Sequence, residues 1–380
     1  MADSGFVIQS LQDLVRINSV NPFLEPFGKG EREIGNYIHT CLLSLGFDSK
    51  IIDLGKNQVN VVGRWRGTGN GKTLAMNAHM DTVGVEGMSE PFAARIEGNK
   101  LFGRGAYDMK GSIAAILGVA KEFAANKPSI TGDLILTFVA DEEYESIGTQ
   151  ELLKNFKADA CIVTEPTDLT ICLGHRGFGV YEITTFGKVA HGGLHREGVD
   201  ANMMMGRVLH ALDKLSLDLS KTKTNPLCGE ASLHVPIIKG GQSLFIYSGE
   251  CKINVERRTI PGESKDGVHA ELQQILDHLS NEDSKFSASL KNLIWRNPYE
   301  VKPDSSIVKS LQRQMPTNSA NDFIGHTWWE DSGLFGEAGI ETVIIGPRGG
   351  GIHQAIEWVE LDSVVELSRI LYNTTLNFCK

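Results

Sequence analysis

Residues 133–143 read Asp-Leu-Ile-Leu-Thr-Phe-Val-Ala-Asp-Glu-Glu, an apolar run that ends abruptly in three acids. A run of this length, LILTFV over 134–139, shows no polar alternation. That is the pattern of a strand buried on both faces, as in a parallel sheet covered by helices. Short apolar segments at 59–62, 73–78 and 160–163 repeat it. Between them, 6–15, 30–45, 112–125 and 147–156 carry apolar residues at helical spacing. Alternating strands and helices over the first ~165 residues predict an α/β domain with a mostly parallel sheet flanked by helices.

The character changes near Gly174. Residues 178–185 alternate apolar and polar, as an antiparallel strand open to water on one face does. A helix is predicted over 200–217, strands over 231–238 and 249–257, and a helix over 267–279. That order predicts an α+β unit of ferredoxin-like topology. From about residue 297 the α/β pattern returns, with a helix over 306–314, a buried strand over 342–345 and a final helix over 361–373. The predicted organisation is one α/β domain, 1–175 and 289–380, interrupted by an inserted α+β domain, 176–288.

A chain of 380 residues fits about two domains. Its net charge of −10 opposes binding to phosphate backbones, so no nucleic-acid partner is expected. Six scattered cysteines without a CxxC pair point to a reduced compartment. No apolar run approaches the ~20 residues of a membrane span, and residues 1–10 lack a secretory pattern. The expected location is the cytoplasm, with no membrane partner.

The chemistry-bearing residues follow the strands. His79 and Asp81 follow the apolar run at 73–78. Asp141, Glu142 and Glu143 end the opening stretch, and Glu165 follows 160–163. His353 lies beyond 342–346, and Asp108 stands in Gly-Arg-Gly-Ala-Tyr-Asp-Met-Lys-Gly, 103–111, before a helix. Ligands bind outside the carboxyl ends of strands in open α/β sheets. Histidine with carboxylate and no cysteine suits Zn²⁺, Co²⁺ or Mn²⁺ in a hydrolytic site. Five ligands drawn from these, two histidines and three carboxylates, exceed the needs of one catalytic zinc and suffice for two metals sharing a carboxylate.

In this arrangement the chain resembles the M20 family of metallopeptidases and N-acyl-amino-acid deacylases, particularly acetylornithine deacetylases and succinyl-diaminopimelate desuccinylases. The resemblance rests on HMD at 79–81, GRGAYDMKG at 103–111, DEE at 141–143, EPT at 165–167, HRG at 175–177, GKVAHGG at 187–193, ERRTIPGE at 256–263 and GPRGGGIHQAIEWVEL at 346–361. It implies two divalent ions, Zn²⁺ first and Co²⁺ as the alternative. One would be held by His79, Asp108 and Glu165, the other by Asp108, Glu143 and His353. It further implies that Asp81 orients His79, that Glu142 is the general base, and that the peptide after Asp108 is cis. The inserted domain becomes a lid and dimerisation domain, whose His191 reaches across a homodimer to the oxyanion. Arg258 holds a substrate carboxylate.

The implied activity is hydrolysis of the amide of an N-acyl amino acid, acetylornithine before others, which would place the enzyme in arginine biosynthesis. Succinyl-diaminopimelate desuccinylase, a dipeptidase or aminotripeptidase, and a non-catalytic binding protein on the same scaffold are the alternatives. Two departures bear on the substrate. Phe245 stands where relatives carry a substrate-contacting asparagine, which implies a more apolar pocket. Glu330-Asp331-Ser332 stands where Thr-Asp-Ala is common, so Glu330 either favours a cationic substrate or faces water. Residues 67–73 imitate a phosphate-binding loop but lead into a strand, and read as a hairpin-like turn.

Overall fold

The computed structural model describes residues 3–316 and 322–380. The opening run forms the strand Leu134–Val139, buried along its whole length. It pairs in parallel with the equally buried Leu74–His79, which pairs in parallel with Ala160–Val163. Glu341–Ile344 extends the parallel order beyond Ala160–Val163. Helices on both faces explain why these strands are apolar without alternation.

Around that centre the sheet is mixed, so the mostly parallel character expected of it is confined to the middle. Gln58–Trp65 runs antiparallel to Leu134–Val139, and Asp48–Gly55 antiparallel to Gln58–Trp65. At the other side Ile344 pairs antiparallel with Cys172. The loop at 67–73 is not a hairpin, because Leu134–Val139 lies between the two strands it joins. It is held instead against the backbone at 131–132, where a Cβ on Gly132 would stand 1.9 Å from the Lys72 carbonyl oxygen. The helix Gly111–Asn126 packs against Ser4–Arg16 and Leu361–Phe378. Gly118 permits that approach, since a Cβ there would meet Ser368 Oγ at 2.4 Å and Val7 Cγ2 at 2.6 Å.

The chain divides into two compact units. The first comprises Met1–Leu173, Val301–Ile324 and Glu330–Lys380, and the second Gly174–Glu300 and Gly325–Trp329. The insertion therefore continues past 288, where the sequence reading closes it. The reason is Ala288–Arg296, a strand that pairs antiparallel with Gly177–Phe186 and completes the inserted sheet. That sheet is antiparallel throughout, in the order Ser232–Gly240, Glu250–Thr259, Gly177–Phe186, Ala288–Arg296. With the helices Ala201–Thr222 and Lys265–Glu282 inserted between strands, the connectivity is ferredoxin-like. Met204, Met205, Val208 and Leu212 from one helix and Val268, Leu272 and Leu276 from the other share a core with Tyr181, Ile183, Ile253 and Val255. Met203, on the opposite helix face, is exposed.

None of the six cysteines forms a disulfide, and among the described residues no helix is long and apolar enough to cross a membrane. The largest buried polar side chain of the second unit is Arg257. Its Nη2 donates to Glu263 at 2.7 Å and its Nε to Glu271 at 3.1 Å, and Lys223 bridges the same two acids. Removing the guanidinium leaves the two carboxylates with the half-exposed Lys223 alone to offset them. Arg257→Leu should cost the second unit about 3–5 kcal/mol, the usual result of breaking a buried ion pair from one side. Chemical denaturation followed by far-UV circular dichroism measures this, and an unchanged unfolding midpoint would contradict it.

Candidate metal centre

Parallel strands end on one edge of their sheet, so the residues that follow them converge. His79 is the last residue of its strand, Asp141–Glu143 follow Leu134–Val139, and Glu165 follows Ala160–Val163. Asp108 comes from the turn before helix Gly111–Asn126, and the Asp108–Met109 peptide is cis. His353 comes from the loop beyond Glu341–Ile344 and has a left-handed backbone, φ 57°.

Two groups of potential ligands meet at Asp108. His79, Asp108 and Glu165 have donor atoms within 4.8 Å of one another, and so do Asp108, Glu143 and His353. Asp108 Oδ1 lies 3.0 Å from His79 Nε2, and Oδ2 lies 3.1 Å from His353 Nε2. The second imidazole nitrogen is also 3.2 Å from Glu143, and His79 Nε2 is 3.6 Å from Glu165 Oε1. One carboxylate thus stands between two clusters of oxygen and nitrogen donors.

Asp81 departs in one respect from the part expected of it. The nearest acceptor for His79 Nδ1 is the backbone carbonyl of Asp81 at 3.0 Å, whereas its carboxylate is 3.6 Å away. The Asp81 carboxylate instead accepts the backbone N–H groups of Glu142 and Glu143, at 3.1 and 3.2 Å. It therefore orients the histidine through its main chain and the glutamate turn through its side chain.

The site concentrates negative charge. Burial and the neighbouring Glu165 push the Glu142 carboxyl well above the ordinary glutamate range, and burial does the same to Glu165. Burial and Asp108 raise Glu143 to about 7. Burial opposes protonation of His79, but Glu165, Asp108 and Asp81 together carry its pKa well above normal. Hydrogen bonds to Asp108 and Glu143 raise His353 to about 10. Such shifts mark a cluster that takes up positive charge wherever it can. The donor set, two imidazoles and three carboxylates without sulfur, fits two hard-to-borderline divalent cations.

Glu330 and Asp331 are also buried, so Glu330 does not face water. Asp331 accepts from Thr149 Oγ1, and burial raises it to about 6. His191 and Arg258 belong to the second unit. The exposed His191 accepts the Gly193 N–H on Nδ1 at 3.1 Å, which leaves Nε2 to carry the proton and donate. Gly192 N–H donates to the Phe245 carbonyl at 2.7 Å, so the exposed Phe245 is tied to the histidine loop. Arg258 is paired with Glu256 and lies 5.0 Å from the Phe178 ring centroid, with a third of its side chain exposed. Its neighbour Arg257 is committed to buried ion pairs.

Sequence reasoning overlooked three buried residues near this edge. Asn21 Nδ2 donates to Asp81 and to Asp141, both at 2.9 Å, and so joins two strand ends. Glu357 accepts several donors from the turn that carries Asp108. Glu31 is fully buried, and among the described residues neither carboxyl oxygen makes a hydrogen bond of good geometry. Burial, with Asp81 and Asp141 nearby, raises Glu31 to about 9. As pH rises from the ordinary glutamate range toward 9, the unfolded chain loses this proton and the folded chain keeps it, so folding stability is lost over that window. The melting temperature of Glu31→Gln relative to the parent should therefore climb between pH 5 and pH 9. A difference that does not vary with pH contradicts this reading.

Residues 75–377 match the model of peptidase family M20/M25/M40. An acetylornithine deacetylase of Myxococcus xanthus is 26% identical over 90% of this chain and 91% of its own length. A Bacillus subtilis deformylase named for N-formyl-4-amino-5-aminomethyl-2-methylpyrimidine is 27% identical over 93% and 91%. Among solved structures, aminopeptidase PepT of Bacillus cereus superposes with a TM-score of 0.81 at 16% identity, covering both chains entirely. The Bacillus subtilis YXEP protein, described as a dinuclear metal-binding peptidase, superposes at 0.74 and 17% identity over 99% and 98% of the two chains. With most of its length matched and the motifs in place along it, the chain belongs to peptidase family M20/M25/M40.

Proposed function

We propose that the protein is a di-metal amidohydrolase that cleaves the amide of an N-acyl amino acid, with N-acetylornithine-like compounds as first candidates. The observation that carries this reading is the Asp108 carboxylate, flanked on each oxygen by one histidine and one further acid, with Glu142 beside both groups. The names of the Myxococcus and Bacillus subtilis relatives, both deacylases, support an acyl-transfer substrate over a free peptide.

His79, Asp108 and Glu165 would hold one ion, and Asp108, Glu143 and His353 the other, Zn²⁺ before Co²⁺. Bound there, two divalent ions supply Lewis-acid polarisation of the scissile carbonyl and neutralise the clustered carboxylates. Glu142 takes a proton from the attacking water and returns it to the leaving amine. Asp81 and Asn21 hold the turn on which Glu142 sits. Arg258 binds the substrate carboxylate in bidentate fashion. His191 donates from Nε2 to the developing oxyanion of the partner subunit's reaction. On this reading the enzyme is a cytoplasmic homodimer joined through the inserted unit. Phe245 travels with His191 and favours an apolar neighbour to the amide.

Two measurements test the reading. Purified enzyme loaded with Zn²⁺ or Co²⁺ should release free amine from N-acetyl, N-succinyl or N-formyl amino acids faster than from unblocked dipeptides. Activity on dipeptides alone would place it in the peptidase branch. Glu142→Ala should lower kcat by about 10²–10⁴-fold while metal content stays at the parental level. Near-normal turnover by that variant would remove Glu142 from the mechanism.

A further inference from the structure

Glu357 is a buried carboxylate to which nothing above assigns a role. Its Oε1 accepts the backbone N–H groups of Tyr107 and Asp108, at 2.9 and 3.0 Å. Its Oε2 accepts the Gly105 N–H at 3.0 Å and Arg104 Nη1 at 2.6 Å. Four donors from one turn therefore close around one side chain. Its own carbonyl accepts the Gly103 N–H at 3.1 Å, so the segment 103–108 is bound to residue 357 along both main chain and side chain.

The same residue is linked to His353. The two lie in one tight loop, 351–357, in which the Gln354 N–H donates to the Gly351 carbonyl at 3.0 Å. A Cβ on Gly351 would stand 1.8 Å from the Ile356 carbonyl oxygen, so the loop closes on itself with no room to spare. Arg104, held by Glu357, also donates through Nη2 to the Gln354 carbonyl at 3.2 Å and through Nε to Gly84 at 2.8 Å. Ion pairing and hydrogen bonding at Glu357 thus tie the turn of Asp108 to the loop of His353.

The dependence of the two ligand groups on this tie is unequal. His79 and Glu165 leave the ends of central strands and owe nothing to Glu357, so only Asp108 of the first group does. In the second group both Asp108 and His353 do, and only Glu143 does not. The His353 side chain is also the most open of the five, with 47% exposure against 10% or less for the other four. We propose that Glu357 is a positioning residue that sets the occupancy of the second metal site, Asp108–Glu143–His353, in preference to the first. The proposal rests on the two-metal reading given above. Partners that orient ligands commonly matter by 10–100-fold in metal affinity when removed.

Glu357→Gln keeps the size of the side chain but turns one acceptor oxygen into a donor facing N–H groups. Apo enzyme, parent and variant, is titrated with Zn²⁺ by calorimetry and with Co²⁺ by its visible absorption, with circular dichroism recording the fold. The parent should bind two ions. Folded Glu357→Gln should bind the first with near-parental affinity and the second about 10–100-fold more weakly. Two parental affinities in a folded variant overturn the proposal, and so does equal weakening of both. A parent that binds no ion, or one, overturns the two-metal reading itself. If Glu357→Gln does not fold, Arg104→Gln, which leaves the three backbone donors in place, should show the same ordered loss. Unchanged second-site affinity in that variant overturns the proposal equally.

Discussion

Like charges resist being buried together, and this protein gathers them at one edge of one sheet. Asp81, Asp108, Glu142, Glu143 and Glu165 stand within reach of two imidazoles. Raised carboxyl pKa values across Glu142, Glu143 and Glu165 are the physical sign of that crowding. Protonation relieves it only partly. Two divalent cations would relieve most of it, and the geometry offers each of two cations three donors with Asp108 in common. The parallel strands, the turn before helix Gly111–Asn126 and the loop at 351–357 are arranged so that this cluster exists at all.

The surrounding polar groups keep the cluster in register. Asp81 accepts the N–H groups of Glu142 and Glu143, and Asn21 spans Asp81 and Asp141. Glu357 gathers the turn of Asp108. Asp81 and Glu357 use a buried carboxylate to fix backbone, and Asn21 uses its amide to hold two carboxylates together, the arrangement that metal sites need beyond their immediate ligands. In the second unit the buried Arg257 plays the structural part, which leaves its neighbour Arg258 partly exposed.

Much of this was legible in the sequence because burial on both faces leaves a plain signature. The run LILTFV and its partners at 73–78 and 160–163 announced the sheet centre, and the acids after them announced its working edge. The ferredoxin-like order was readable from alternation and helical spacing. Other features left weaker traces. Asp48–Gly55, with the sequence DSKIIDLG, pairs at the sheet edge and carries charged residues at 48, 50 and 53, so no continuous apolar run marks it. Ala288–Arg296 is an edge strand with a bulge between Asn292 and Ile294, which breaks its alternation and hid the end of the insertion. Glu357, Asn21 and Glu31 look like ordinary surface polar residues until tertiary packing buries them. A carboxylate whose partners are N–H groups distant in sequence leaves no local pattern to read.

On the proposed function Asp108 would bridge two metal ions at the carboxyl edge of the sheet. X-ray diffraction from crystals of the Zn²⁺-loaded enzyme, recorded at the zinc absorption edge, tests it most directly. Two anomalous peaks about 3.5–4 Å apart should flank the Asp108 carboxylate, one touching His79 and Glu165 and the other Glu143 and His353. A single peak in fully loaded crystals, or two peaks that do not share Asp108, would contradict the account.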